Sequence, residues 1–396
     1  MRRIIRITDG VLAVLCAVLM TFVAVGSHTL PDAFICYDGV PVGQRGVYSV
    51  AGEASRSVDF QGETVSEDTL RLLNVIPVKT VTVTAKPSGS VIVGGEAFGI
   101  KLYTDGVIVV GMQSVDTGEG AVNPSEEAGL QTGDIIAEID GRAVYSAEEV
   151  TAILNENNGA SYAVKIKRDG RYREFTLTPV YSPREGCYKA GLWVRDSTAG
   201  IGTVTFYNPD NGVFASLGHP VNDVDTGELM PLLKGEAVKA EVVNVQRAAA
   251  GMTGSLWCDF KSEAVGQLLE NTSLGLYGRS DSVPQSNESY PIASAQEVHR
   301  GAAQIRSTVS GVQPQYYDVE ITKVSYNKEG GQRDIVFRVT DDALLKATGG
   351  IVQGMSGSPV IQDGKLVGAV THVIVNNPVK GYAVFAQTMY EKSFDY

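Results

Sequence analysis

Six residues, GMSGSP at Gly354–Pro359, come directly before a predicted β-hairpin, VIQDGKLV at residues 360–367. Glycines on both sides of Ser356 let the backbone turn sharply, so the serine can project its Oγ into a cleft. In that geometry the N–H groups of Gly354 and Ser356 would point together and bind an oxyanion, as acyl transfer requires. Glycine, serine and proline also dominate ordinary turns, so a plain loop is the alternative.

The composition describes a globular protein of more than one domain. The chain has 396 residues, of which 43% are hydrophobic and 20% charged, so two folded domains and a leader are expected. Its 33 basic and 45 acidic residues give a net charge of -12, which disfavours nucleic-acid binding. The four cysteines are scattered, and no spacing typical of a metal site or a disulfide framework is visible. No metal and no cofactor are predicted.

The N-terminus has the pattern of an exported protein. Three arginines within the first six residues precede an uncharged apolar run from Gly10 to Val25, which predicts a cytoplasmic N-terminus. Residues 1–30 are therefore predicted to be a cytoplasmic tip and a signal-anchor helix. Cleavage by a signal peptidase near residues 24–26 is the alternative. Residues 31–93 are predicted to be a spacer that includes a strand at residues 78–84.

A compact unit is predicted for residues 94–182. Strands flank the segment AGLQTGDII at residues 128–136, and a helix is expected from Ser146 to about Asn155. This succession resembles a PDZ domain. The resemblance implies a groove between the second strand and the helix, where a peptide adds as a strand. It also implies that the peptide carboxylate meets the N–H groups of a loop formed by Phe98, Gly99 and Ile100. A small barrel with no ligand is the alternative.

Residues 183–396 show the short strands and turns of a mainly β unit in two parts. A serine hydroxyl is a weak nucleophile until a base takes its proton, so Ser356 needs an imidazole within reach. His219 leaves a predicted hairpin in a polar loop, which suits a base. His372 lies on the strand after the serine hairpin, where it would line the substrate cleft.

A carboxylate is expected to hold the imidazole in the correct tautomer. Two candidates, Asp341 and Asp342, end a predicted strand shortly before the serine. Two others, Asp223 and Asp225, are close to His219 in sequence. The chemistry of these residues does not choose among the four.

Several longer stretches closely resemble the stage IV sporulation protein B peptidases. They are GGIVQGMSGSP at residues 349–359, GAVTHV at 368–373, DSTAGIGT at 196–203, LGH at 217–219 and DVDT at 223–226. The resemblance runs from the leader nearly to the C-terminus. It implies a trypsin-like or chymotrypsin-like double β-barrel with Ser356 as nucleophile, His219 as base and Asp341, fifteen residues ahead of the serine, as acid. Pro220 directly after the histidine departs from the looser loop that the family leads us to expect.

The resemblance also implies a biological role. Members are membrane-anchored serine endopeptidases, exported from the forespore into the space between the two membranes of a sporulating cell. They cleave themselves near the N-terminus and cut a membrane-bound regulator, which lets an intramembrane protease activate sigma factor K. The PDZ groove is expected to hold the enzyme's own N-terminal segment or a membrane partner's tail. A non-catalytic PDZ adaptor and a general extracytoplasmic quality-control serine protease are the alternatives.

Overall fold

The computed structural model describes residues 2–37, 47–50, 64–280, 282–284, 288–326 and 331–396. Strands dominate these residues, which confirms the predicted mainly β fold. The helices are α1 (Arg2–Thr29), α2 (Pro124–Glu127), α3 (Ala147–Leu154), α4 (Asp342–Thr348) and α5 (Ala386–Lys392). Within the described part of the chain, one helical stretch is long and apolar enough to cross a membrane, Gly10–Thr29 in α1. Only 6% of its apolar window is buried in the protein, unlike the helix of a packed core.

A small sheet follows α1. Its strands are β1 (Ala33–Tyr37), β2 (Tyr48–Val50), β3 (Thr64–Leu72) and β4 (Ile76–Lys86), in the order β1-β4-β3-β2. The strand predicted at residues 78–84 lies within β4. Alternate residues of β4, including Val81 and Val83, are buried, because successive side chains of a strand point to opposite faces.

Polar contacts connect this sheet to both ends of the chain. The Lys79 Nζ on β4 donates to the carbonyl oxygen of Leu30 at 2.6 Å and pairs with Asp32 at 2.7 Å, just beyond the end of α1. The Tyr37 hydroxyl on β1 donates to Glu391 Oε1 of α5 at 2.6 Å. The small sheet therefore lies between the N-terminal helix and the C-terminal helix.

A twelve-stranded sheet forms the centre of the molecule. Its order is β12-β11-β9-β6-β17-β18-β19-β16-β15-β5-β20, with β10 beside β9 and a further pairing of β6 with β15. The bounds, with those of the short pairs β7–β8 and β13–β14, are β5 (Ser90–Val93), β6 (Ala97–Met112), β7 (Val115–Asp116), β8 (Ala121–Val122), β9 (Ile135–Ile139), β10 (Arg142–Ala143), β11 (Tyr162–Arg168), β12 (Arg171–Leu177), β13 (Val180–Ser182), β14 (Cys187–Lys189), β15 (Leu192–Tyr207), β16 (Val213–Ser216), β17 (Leu232–Gln246), β18 (Ser255–Thr272), β19 (Gly275–Arg279) and β20 (Ser289–Pro291).

The two sixteen-residue strands β6 and β15 run antiparallel to each other along most of their length. One half of β6 shares a hydrophobic core with β9, β11, β12 and α3. The helix α3 buries Val150, Ile153 and Leu154 in this core. The other half pairs with β17. The two units predicted from the sequence thus share continuous strands, while the domain boundaries themselves stay a prediction.

The C-terminal strands close into a six-stranded barrel, in the order β21-β22-β23-β26-β25-β24. They are β21 (Gly301–Ser307), β22 (Gln315–Val324), β23 (Ile335–Val339), β24 (Pro359–Gln362), β25 (Lys365–Val373) and β26 (Lys380–Phe385). The hairpin predicted after the serine is β24 and β25. Its turn residues Asp363 and Gly364 have φ of 50° and 73°, which is why an Asp-Gly pair suits this position.

Candidate active site

The serine lies in a tight loop between α4 and β24, residues 354–358, here called the serine loop. Gly354 and Gly357 have φ of 100° and 95°, a region that other residues rarely adopt. A Cβ on Gly357 would lie 2.0 Å from the carbonyl oxygen of Thr203. The backbone conformation therefore favours glycine at both positions, and the close approach of β15 also requires it at Gly357.

β15 holds the serine loop through side chains and backbone. Thr203 donates from its N–H to the Ser356 carbonyl and from its Oγ1 to the Gly354 carbonyl, both at 2.8 Å. The Thr205 Oγ1 donates to the Gly357 carbonyl, also at 2.8 Å. The sequence analysis did not identify these two threonines. Their alternation along a strand shows that both side chains face the same side, but not which segment they contact.

The N–H groups of Gly354 and Ser356 were predicted to form an oxyanion hole. Among the hydrogen bonds of the described residues, none is donated by either group. The carbonyls of the same two residues accept from Thr203, so the orientation of the loop is fixed. Two fixed and unengaged donors can bind the negative oxygen that develops during acyl transfer.

His219 follows β16 through a tight turn, in which Gly218 has φ of 67°. Its Nδ1 is 2.8 Å from the carbonyl oxygen of Pro220, and a carbonyl can only accept, so Nδ1 carries the proton. The Nε2 atom is then the unprotonated nitrogen, as a general base requires. Burial lowers the pKa of His219, although the Pro220 carbonyl opposes that shift.

His372 lies beside His219, with ring centroids 4.9 Å apart and the ring planes at 38°. Burial lowers its pKa to about 4, and the nearby His219 and Arg333 contribute in the same direction. Its buried Nδ1 has no hydrogen-bond partner among the described residues. Two adjacent imidazoles with lowered pKa values therefore lie side by side, which favours their neutral forms.

Ser356, His219 and His372 line one cleft of about 740 Å³, here called the catalytic cleft. Most of its lining is apolar and includes Leu217, Leu256, Phe260, Val352 and Val373. The Ser356 Oγ donates to the carbonyl oxygen of Thr371 at 2.8 Å. This hydrogen bond must break before the hydroxyl can give its proton to His219. The structure brings the predicted nucleophile and base together, in a resting rather than an engaged arrangement.

Asp341 has a structural position outside the lining of the catalytic cleft. It is the N-cap of α4, where its Oδ1 accepts from the Leu344 N–H at 2.8 Å and its Oδ2 accepts from the Asp318 N–H at 3.4 Å. Asp342 follows as the first residue of the helix. The carboxylate that the family resemblance implies as the acid therefore caps the helix that leads to the serine loop.

The alternative acids are engaged elsewhere too. Asp223 is buried and forms an ion pair with Arg195, while its Oδ1 accepts from the N–H groups of Asp225 and Thr226 at 3.0 and 2.9 Å. Burial raises its pKa, but these hydrogen bonds and the Arg195 guanidinium outweigh burial and lower it overall. Asp225 binds the same guanidinium at 2.6 Å. Among the described residues, His219 makes its ring hydrogen bond to Pro220 and not to a carboxylate.

The structure corrects the loop predicted at Phe98, Gly99 and Ile100. These residues lie in β6, paired on one edge with Gly202, Ile201 and Gly200 and on the other with Lys239, Val238 and Ala237. Their backbone groups are used by neighbouring strands, so no free loop is present there to receive a carboxylate. Phe98, Gly99 and Ile100 are all buried, because strands pair with both edges of β6 here. Ile100 in fact lines the catalytic cleft.

Two family models match the chain. The model described as SpoIVB peptidase S55 matches residues 186–390, and a PDZ domain model matches residues 99–178. The first contains Ser356, His219 and His372. The second contains α3 and the strands that pack on it.

Curated relatives match parts of the chain. A protein named as a zinc metalloprotease from Clostridium acetobutylicum is 25% identical over 39% of this chain and 41% of its own length. Zinc metalloprotease RasP from Oceanobacillus iheyensis is 34% identical over 14% of this chain and 13% of its own. Magnetosome formation protease MamE from Paramagnetospirillum magneticum is 44% identical over 14% and 8%. The chain thus spans less than half the length of these relatives.

Among solved structures, the PDZ domain of the SdrC-like protein from Listeria monocytogenes is similar to part of the chain. The identity is 24%, over 23% of this chain and 87% of that one, with a TM-score of 0.19.

Proposed function

The chain belongs to the SpoIVB peptidase S55 family, and on that premise we propose that it is a membrane-anchored serine endopeptidase with Ser356 as nucleophile and His219 as base. The observation that carries the proposal is the pairing, in one cleft, of a serine loop and an imidazole. Within the described structure, two N–H groups of the loop and the Nε2 atom of the imidazole have no hydrogen-bond partner. Neither feature is needed by a domain that only binds peptides.

The reaction follows from this arrangement. Ser356 Oγ rotates away from the Thr371 carbonyl, gives its proton to His219 Nε2 and attacks the scissile carbonyl carbon. The N–H groups of Gly354 and Ser356 hold the resulting oxyanion. The imidazolium then protonates the leaving amine, and water releases the acyl group by the same steps in reverse order.

The Pro220 carbonyl takes the orienting role that a carboxylate has in other triads. It accepts from His219 Nδ1, which keeps Nε2 unprotonated, and its partial negative charge stabilises the imidazolium that forms. Asp341 acts in this proposal by capping α4, which fixes the path of the chain into the serine loop. His372 forms the neutral wall of the catalytic cleft next to the base.

The location and the biological role are part of the proposal. The apolar stretch Gly10–Thr29 serves as a signal anchor, with the catalytic cleft on the extracytoplasmic side and, in a sporulating cell, in the forespore intermembrane space. The substrates are a membrane-bound sporulation regulator, whose cleavage lets an intramembrane protease activate sigma factor K, and the enzyme's own N-terminal segment. Family membership and the apolar helix support this role.

The test compares the wild type with Ser356→Ala and with Ser310→Ala, an exposed serine outside the catalytic cleft, as the matched control. A fluorophosphonate should label the wild type and Ser310→Ala but not Ser356→Ala. Self-cleavage and cleavage of an added regulator should fall about 10⁴-fold or more in Ser356→Ala, because the members of such a site act as a unit. Equal labelling of all three proteins, or none of the wild type, would refute the proposal and favour an adaptor.

A further inference from the structure

Asn271 holds the peptide unit whose carbonyl accepts from His219. That carbonyl belongs to Pro220, and the nitrogen of the same planar unit belongs to Val221. The Val221 N–H donates to Asn271 Oδ1 at 2.9 Å. A continuous chain of hydrogen bonds therefore runs from the His219 ring, through one peptide unit, to a side-chain amide.

The other end of the Asn271 amide fixes its orientation. Its Nδ2 donates to the carbonyl oxygens of Val221 at 2.7 Å and Met230 at 2.9 Å. A carbonyl can only accept and the Val221 N–H can only donate, so the oxygen and nitrogen of the amide can be placed in one way alone. The side chain is also buried, with 6% of the residue exposed. Asn271 is therefore held in a single orientation.

Asn271 is supported by the sheet and not by a loop. It is the penultimate residue of β18 and pairs with Leu276 of β19. Leu276 also pairs with Ser216, the last residue of β16, and its carbonyl accepts from the Ser216 Oγ at 2.9 Å. His219 follows Ser216 by three residues. The amide and the chain that enters the base are thus attached to the same strand, β19.

Pro220 makes the direction of its carbonyl depend on this support. The proline ring fixes φ at about −65°, and the peptide unit that follows is planar. The soft torsion that remains is ψ of Pro220, and rotation about it moves the Pro220 carbonyl and the Val221 N–H together. A hydrogen bond to the Val221 N–H therefore sets where the carbonyl points, and with it which nitrogen of His219 carries the proton.

The bond at Val221 also strengthens the bond at His219. An acceptor on the N–H side of a peptide unit polarises the unit and makes its carbonyl oxygen more negative, so the two bonds are cooperative. A more negative oxygen stabilises the imidazolium that forms when His219 takes the proton of Ser356. This matters for a buried base, because burial opposes the charged form of the ring.

We propose that Asn271 is the positioning residue of the base, and that through the Pro220–Val221 peptide unit it holds His219 with the proton on Nδ1 and with Nε2 free. This inference rests on the proposed peptidase function. It gives the site a third side chain, an amide on β18 that acts through the backbone, where other triads place a carboxylate against the imidazole.

The first experiment compares Asn271→Leu with Asn208→Leu in the full chain. Asn208 is the matched control, because it is also buried, bonds to Asp210 at 3.0 Å and to Ser393 at 3.1 Å, and lies outside the lining of the catalytic cleft. Both variants should unfold at lower urea concentration than the wild type, because each leaves buried polar groups unpaired.

The kinetics on one peptide should separate the two variants. In Asn271→Leu, kcat should fall about 100-fold, the scale of a catalytic group misplaced by about 1 Å, while KM stays within about threefold. In Asn208→Leu, kcat should stay within about threefold of the wild type. Equal losses of kcat in the two variants, or an unchanged kcat in Asn271→Leu, would overturn the inference.

The tautomer of His219 is a readout that a merely structural role would not change. The chain has four histidines, so nitrogen NMR with isotope-labelled histidine gives few signals, and His219→Gln identifies those of the base. The wild type and Asn208→Leu should show a protonated Nδ1 and an unprotonated Nε2. Asn271→Leu should show a mixture of tautomers. An unchanged tautomer in folded Asn271→Leu would overturn the inference.

Asn271→Asp is the second variant, and it keeps the inference testable if Asn271→Leu does not fold. Its carboxylate can still accept the Val221 N–H, but it cannot donate to the two carbonyls. Stability should therefore drop, while His219 keeps the Nδ1–H tautomer and kcat falls less than tenfold. Loss of that tautomer in folded Asn271→Asp would overturn the inference alone. A wild type that neither cleaves peptides nor reacts with a fluorophosphonate would overturn the proposed function, while the tautomer would still test the link to Asn271.

Discussion

Asp341→Asn distinguishes two possible roles of Asp341, the N-cap of α4 and the acid of a catalytic triad. As the N-cap of α4, Asp341 accepts the Leu344 N–H at 2.8 Å, and an asparagine oxygen can accept the same bond. Asn and Asp are about equally good N-caps, so the free energy of unfolding should change by no more than a few tenths of a kcal/mol, whereas Asp341→Ala should lose about 1 kcal/mol. If capping is the role, kcat/KM of Asp341→Asn should stay within about threefold of the wild type, because a change of ~0.6 kcal/mol corresponds to that factor.

The assay pairs urea unfolding with kcat/KM on one peptide for the wild type, Asp341→Asn, Asp341→Ala and Asp342→Asn. Asp342 is the control, because it is a carboxylate of the same helix without the capping bond. A triad acid replaced by its amide loses about 10⁴-fold in kcat. A loss of that size in Asp341→Asn, with unchanged urea unfolding and an active Asp342→Asn, would refute the capping role and make Asp341 the acid.

Three further predictions concern the site and the contacts at the ends of the chain. Because burial lowers the pKa of His219, its neutral form persists to lower pH, so kcat/KM should fall on acidification with a midpoint below 6.5, and a midpoint above that value would contradict the neutral buried base. Thr203→Val removes the hydroxyl that donates to the Gly354 carbonyl, so kcat should fall and the free energy of unfolding should drop by about 1 kcal/mol; an unchanged kcat would mean that the serine loop needs no such support. Tyr37→Phe removes the bond to Glu391 and should cost about 1 kcal/mol in urea unfolding; a loss of peptidase activity in the folded variant would show a role that the structure does not indicate.

Local patterns in the sequence were enough for several elements. The Asp363-Gly364 pair predicts the hairpin after the serine, because both residues take positive φ readily. Ser146 marks the start of α3, where its Oγ accepts from the Glu149 N–H at 3.1 Å. The serine loop and His219 line the same cleft, as expected for a nucleophile and its base. Their catalytic roles stay predictions.

Features that depend on which strands become neighbours could not be predicted. The segment of Phe98 to Leu102 fits a strand or a loop followed by a strand, and only its pairing with β15 and β17 decides between them. The partner of His219 proves to be the adjacent Pro220 carbonyl, a backbone atom that no search among carboxylates can find. Thr203 is equally unremarkable in the sequence, because its role comes from the approach of a segment about 150 residues later.

The α3 unit consists of α3 with β9, β11, β12 and the adjoining half of β6. β6 and β15 pass without interruption from this unit into the sheet that supports the serine loop. Deleting residues 94–180 would therefore take β6 out of the peptidase half as well, and lost activity in that variant would say nothing about peptide binding. For the same reason, recombination could not exchange the α3 unit as an independent domain. Any replacement would have to restore two matched strands in register. The α3 unit and the peptidase strands share β6 and β15, so their sequences are expected to have changed together during evolution.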